Sequence, residues 1–91
     1  MLEIIQVSAE DCGSCQIVQK YLLEIMKNHS KWIYHYYSND KEIIKKYQIL
    51  TFPTVIYLLN GSEERRFVGI KTKEDILKDI IYLENKSEES I

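Results

Sequence analysis

A single proline, three glycines and two cysteines are all that these 91 residues hold of the types that most constrain a backbone. So little proline and glycine excludes a collagen-like repeat and a low-complexity linker. Charge of one sign is also lacking. Twelve Lys and Arg stand against fourteen Asp and Glu, the net charge is −2, and no electrostatic footprint for nucleic acid results. No stretch approaches about 18 consecutive apolar residues, and Met1-Leu2-Glu3-Ile4-Ile5 lacks the basic region and cleavage site of a signal peptide. A cytosolic location is the expectation. There, a lone pair of close cysteines is expected to be reactive, because cellular reductants keep ordinary thiols reduced. With 45% hydrophobic and 29% charged residues the chain is globular, and its length allows one domain whose core closes without staples.

What is present is concentrated in one place. Both cysteines fall in Cys12-Gly13-Ser14-Cys15, between the apolar run Ile4-Ile5-Gln6-Val7 and a helix-like stretch starting near Cys15. A Cys-x-x-Cys at a strand-to-helix junction reads as a dithiol that cycles to a disulfide. Two intervening residues let both sulfurs meet over the first helical turn, where unpaired N–H groups and the helix dipole favour a thiolate. Cys12 is then the candidate attacking thiol and Cys15 the candidate resolving one. Two other readings compete. A metal site would need about four ligands, and the additional imidazoles, His29 and His35, are remote in the expected fold; the alternative is inert packing of two small apolar side chains. Exchange through a redox-active disulfide needs no bound cofactor and no metal.

Along the chain, residues 3 to 7 read as a buried strand, and Ser8 to Asp11 with Gly13 mark a loop. Ile17, Val18, Tyr21, Leu22, Ile25 and Met26 recur at helical spacing, predicting a helix from about Cys12 to His29. Asp11 is read as its N-cap in preference to a catalytic acid, and Glu10 as solvated. Trp32 to Tyr37 is aromatic and β-branched enough for a strand packed in the core, with His35 a partly buried strand residue and no base. Asp40 caps a short helix from Lys41 to Tyr47. Thr54 to Leu59 is a continuous apolar strand suited to a sheet covered on both faces. Asn60-Gly61 turns it into a hairpin partner from Glu64 to Gly69. Thr72 and Asp75 resemble a helix cap, and the last helix buries Ile76, Leu77, Ile80, Ile81 and Leu83. The tail from Glu84 to Ile91 is polar and expected to fray, leaving residues 1–83 as the domain. The order β-α-β-α-β-β-α predicts an α/β fold: a four-stranded mixed sheet in spatial order 2-1-3-4, with helices on both faces.

Ala9-Glu10-Asp11-Cys12-Gly13-Ser14-Cys15, Thr51-Phe52-Pro53-Thr54, Asn60-Gly61 and Val68-Gly69 resemble, in order and spacing, the corresponding segments of thioredoxins. The resemblance covers roughly residues 3 to 83 and implies the thioredoxin-like fold, shortened toward glutaredoxin size. It implies that Cys12 is the attacking nucleophile and Cys15 the resolving thiol, that Pro53 is a cis-proline facing them, and that the backbone of Phe52 pairs with an extended substrate segment. The departures fall on residues that modulate the site. Gln6 stands where thioredoxins commonly bury a proton-exchanging Asp, Asp11 where many have Trp, Ser14 in place of the usual proline, and Lys20 in place of a helix-kinking proline. The implied consequences are a missing proton relay at Gln6, a carboxylate at Asp11 that disfavours the thiolate, and a straighter first helix.

The function so implied is a thiol–disulfide oxidoreductase that reduces protein disulfides as a monomer and is itself reduced by a thioredoxin-reductase-like flavoprotein. Neither a membrane nor a nucleic-acid partner is expected. A glutathione-dependent, glutaredoxin-like protein fits the length but not Val68-Gly69-Ile70-Lys71-Thr72, which lacks the Gly-Gly and Ser-Asp pattern used to hold glutathione. A third reading is a binding or redox-sensing module without turnover.

Overall fold

In the computed structural model, which describes residues 1–89, every predicted element forms. They are β1 (Leu2–Ser8), α1 (Gly13–Met26), β2 (Trp32–Ser38), α2 (Lys41–Lys46), β3 (Thr54–Leu59), β4 (Ser62–Val68) and α3 (Lys73–Glu89). The sheet order is β2-β1-β3-β4. β1 pairs parallel with β2, from Leu2↔Trp32 to Ser8↔Ser38, and antiparallel with β3, from Leu2↔Leu59 to Val7↔Thr54. β3 and β4 form the antiparallel hairpin across Asn60 and Gly61, both at positive φ as a tight two-residue turn requires.

Alternation along the strands sorts the core into two layers. Leu2, Ile4, Val55 and Tyr57 pack with Val18, Leu22 and Ile25 of α1 and Ile76, Ile80 and Leu83 of α3. Ile5, Val7, Ile56 and Leu58, of opposite parity, pack with Ile49 and with Ile43 and Ile44 of α2. The two long helices thus cover one face and α2 the other, which is why β1 and β3 are each buried at all but one position. Thr72 caps α3 through its hydroxyl, which accepts from the Asp75 N–H at 3.1 Å. On the α3 side, buried Asp79 accepts from Arg65 at 2.9 Å and from Lys71 at 2.5 Å.

Several expectations about the elements change, the hairpin partner expected from Glu64 to Gly69 running instead from Ser62 to Val68. The first helix begins at Gly13 and ends at Met26, and Ile17 is 40% exposed because the buried stripe runs through Cys15, Val18, Leu22 and Ile25. β2 is an edge strand, so only Trp32 of its aromatic run is buried, while Ile33 and Tyr36 face solvent. Ile81 likewise points away from the sheet, 44% exposed. In place of a tail fraying from Glu84, α3 continues through Glu89, with Ser90 and Ile91 outside the described residues. The extension has partners that no local pattern announces: Glu84 accepts from Trp32 Nε1 at 3.1 Å and meets His29 Nδ1 at 3.0 Å, and Lys86 pairs with Glu64 at 2.6 Å.

Candidate active site

The register brings three loops to one pole. Val7 lies opposite Thr54, and Thr54 opposite Val68, so the segments 9–12, 48–53 and 69–72 all leave the same end of the sheet. The N–H of Gly69, at φ +75°, donates to the Pro53 carbonyl at 2.8 Å and ties the last two loops together. The salt bridge from Lys71 to Asp79 holds the third against α3. The Phe52–Pro53 bond is cis. Pro53 is buried and Phe52 half-buried, whereas Leu50 is exposed.

At this pole Cys12 and Cys15 are joined in a disulfide with Cα atoms 5.3 Å apart, inside the ordinary range for the bond. Cys12 is half-buried and Cys15 only 1% exposed, an asymmetry set by the helix: Cys12 precedes α1 in extended conformation, and Cys15 sits on its buried stripe. Cys12 itself is the N-cap. Its Sγ accepts from the Cys15 N–H at 3.2 Å, and its carbonyl accepts from the Gln16 N–H. Asp11, expected in that role, is an exposed turn residue at φ +53°, because the bridged sulfur already occupies the space over the first turn. No acidic side chain lies in that turn, and the Cys12 sulfur caps the positive end of its dipole. Ser14 Oγ stands 3.4 Å from Cys12 Sγ. A Cβ on Gly13 would meet open space, so packing does not demand glycine there.

Beneath the disulfide lies a polar layer. Gln6 is fully buried, and its Nε2 donates to the Cys15 carbonyl at 2.9 Å and to Ser8 Oγ at 3.1 Å. Its Oε1 accepts from the Tyr34 hydroxyl at 2.5 Å. Burial pushes the Tyr34 phenol well above its ordinary range, so it stays a neutral donor. Tyr34 and Ser8 were not singled out by sequence reasoning. The signal was their even parity with Gln6, which becomes readable only when the β1–β2 register is known. His29 and His35 are drawn away from the cysteines, His29 to Glu84 and His35 to Glu3. Among the described residues no group of three or more His, Cys, Asp or Glu is placed to hold a metal ion.

A cysteine pair at a helix N-terminus, one half-buried and one fully covered, on a β-α-β-α-β-β-α sheet, defines a dithiol–disulfide protein of the thioredoxin fold. The family model described as Thioredoxin matches residues 2–82, and the chain belongs to the thioredoxin family. It is 27% identical over 81 residues to the thioredoxin H-type of Fagopyrum esculentum, covering 87% of this chain and 69% of that one. It is 28% identical over 80 residues to the H-type of Oryza sativa subsp. indica, covering 86% and 65%. With the chloroplastic M-type thioredoxin of Spinacia oleracea it shares 29% identity over 72 residues, covering 76% and 40%. The chain thus spans about two thirds of the H-type relatives' length and less of the M-type. Among solved structures, Fasciola hepatica thioredoxin superposes with a TM-score of 0.80 at 20% identity, covering 89% of this chain and 79% of that one. Plasmodium falciparum thioredoxin gives 0.79 at 25%, covering 89% and 80%. Thiol–disulfide oxidoreductase chemistry is the class of activity that the family and the close cysteine pair fit.

Proposed function

We propose that this chain reduces protein disulfides by exchange through Cys12 and Cys15, and that a thioredoxin-reductase-like flavoprotein restores its dithiol. The observation that carries the reading is the asymmetric pair: Cys12 half-buried at the helix N-terminus, Cys15 only 1% exposed one turn behind it. The Cys12 thiolate attacks one sulfur of a substrate disulfide, the substrate S–S bond breaks, and one substrate thiolate leaves. Cys15, deprotonated, then attacks Cys12 Sγ, the mixed disulfide breaks, and the second substrate thiolate leaves. The substrate gains two electrons and two protons, and the chain closes its own disulfide. The neighbouring loop supplies the docking surface in this reading, with the backbone of Phe52 beside Pro53 pairing with an extended substrate segment. A cytosolic site of action belongs to the same proposal.

The test is turnover with two electron sources. With NADPH and thioredoxin reductase, the chain is expected to reduce insulin disulfides catalytically, and substitution of Cys12 by Ser to abolish it. Turnover only with glutathione and glutathione reductase would replace the proposal with a glutaredoxin-like activity. No turnover with either, from a dithiol that still oxidises and reduces, would make the chain a binding or sensing module.

A further inference from the structure

The two edges of the sheet are built differently. β4 carries Glu63, Glu64, Arg65 and Arg66, and its register with β3 shifts at Tyr57/Leu58; charge and irregularity of this kind blunt an edge against further pairing. β2 has neither device. Trp32-Ile33-Tyr34-His35-Tyr36-Tyr37-Ser38 contains no Lys, Arg, Asp, Glu or Pro and pairs with β1 in unbroken register along its seven residues. Its outer side has no strand partner among the described residues, and Ile33 and Tyr36 are 43% and 40% exposed, one on each face.

The same segment is close to self-complementary about His35. A two-fold axis normal to the sheet, midway between two copies of His35, would lay the copies antiparallel, with His35 opposite His35, Ile33 opposite Tyr37 of the second copy and Tyr34 opposite its Tyr36. Aromatic pairs and aromatic–β-branched pairs are the combinations that stabilise antiparallel neighbours. Charge permits this register and favours its ends. No Lys, Arg, Asp or Glu side chains face each other within the strand, the two copies of His35 that meet at the centre each have their own Glu3 at 3.0 Å, and Lys31 stands at the end of the strand where Asn39 and Asp40 of the second copy lie. We propose that β2 is a self-association edge, joining two copies of this chain into one eight-stranded sheet. Because the strands run antiparallel, the two dithiol poles face opposite ends and both stay open. A contact confined to one seven-residue strand from each copy belongs with the small, transient class of interfaces, so a concentration-dependent equilibrium with the monomer expected from the sequence follows.

Sedimentation velocity on the full, oxidised chain from about 10 μM to about 1 mM tests this, oxidation preventing exchange between chains. The weight-average mass is expected to rise with concentration from 10.8 kDa toward that of a dimer. Tyr36→Lys puts a charge on the edge at an exposed position and should weaken association at least tenfold while leaving insulin reduction unchanged. Mixing labelled and unlabelled chains should give intermolecular NOEs between the Ile33 methyls and the Tyr37 ring. A chain that stays at 10.8 kDa throughout, a Tyr36→Lys variant that associates like the wild type, or intermolecular contacts on another face would overturn the proposal.

Discussion

Ser14 is the residue expected to tune the Cys12 sulfur. Its hydroxyl oxygen stands 3.4 Å from Cys12 Sγ, and once the disulfide is reduced that O–H can donate to the thiolate. A hydrogen bond to a charged group contributes about 1.5 kcal/mol, which is about one pKa unit and, for a two-electron couple, about 30 mV. Ser14→Ala should therefore raise the Cys12 pKa by up to about one unit in a thiolate-absorbance titration and make the protein more reducing by up to about 30 mV. An unchanged pKa would show that the helix N-terminus alone holds the thiolate. Gln6 acts one layer deeper. Its three bonds tie β1, β2 and the first turn of α1 together without a charged group, so Gln6→Ala removes all three and opens a void under Cys15. The expected cost is about 2–4 kcal/mol in urea unfolding. A loss below about 0.5 kcal/mol would mean that water or neighbours replace the amide freely.

At the scale of elements, α3 shows what reaches beyond local pattern. Its start was legible, since Thr72 and Asp75 stand at cap spacing before an apolar stripe. Its end was not, because Glu84 finds Trp32 and His29 about fifty residues away, and Lys86 finds Glu64 across the hairpin. Glu84→Ala should destabilise the fold by about 1–2 kcal/mol in urea unfolding, whereas Glu88→Ala, on the exposed side, should stay within about 0.5 kcal/mol of wild type. Equal effects would mean that the His29–Trp32–Glu84 cluster contributes nothing. The same limit explains β2. Its aromatic composition announced a strand and the predicted order 2-1-3-4 already set it at an edge, but the reading of that run as core packing missed that an edge leaves Ile33 and Tyr36 open. The cysteines and Pro53 were legible because their spacing is short or their residue type unique in the chain, whereas Asp11 was misassigned because composition favours a carboxylate cap over a bridged sulfur.

On the scale of the whole molecule, charge clamps the outside and sulfur chemistry occupies one pole. Glu24 of α1 bonds Lys73 of α3 at 2.7 Å, and Glu63 bonds Arg66; each cation holds its carboxyl below the ordinary value of 4.5. A carboxyl whose folded pKa is depressed adds stability that is complete above its unfolded pKa and disappears as pH falls through the folded one. The urea midpoint should therefore fall as pH drops below 4.5, and Lys73→Met should shrink that fall, the effect being small and reduced by salt because the groups are exposed. A midpoint equally acid-sensitive in Lys73→Met would assign the loss to other carboxylates.

The polarity of the pole is tested most directly by removing the covered sulfur. With Cys15→Ser, Cys12 can attack a substrate disulfide but the mixed disulfide has no internal thiol to release it. Incubated with insulin and mapped under non-reducing conditions, this variant should accumulate an adduct on Cys12, and Cys12→Ser should accumulate little or none through the buried Cys15. Equal adducts on both variants, or an adduct only through Cys15, would contradict the assignment of Cys12 as the attacking thiol.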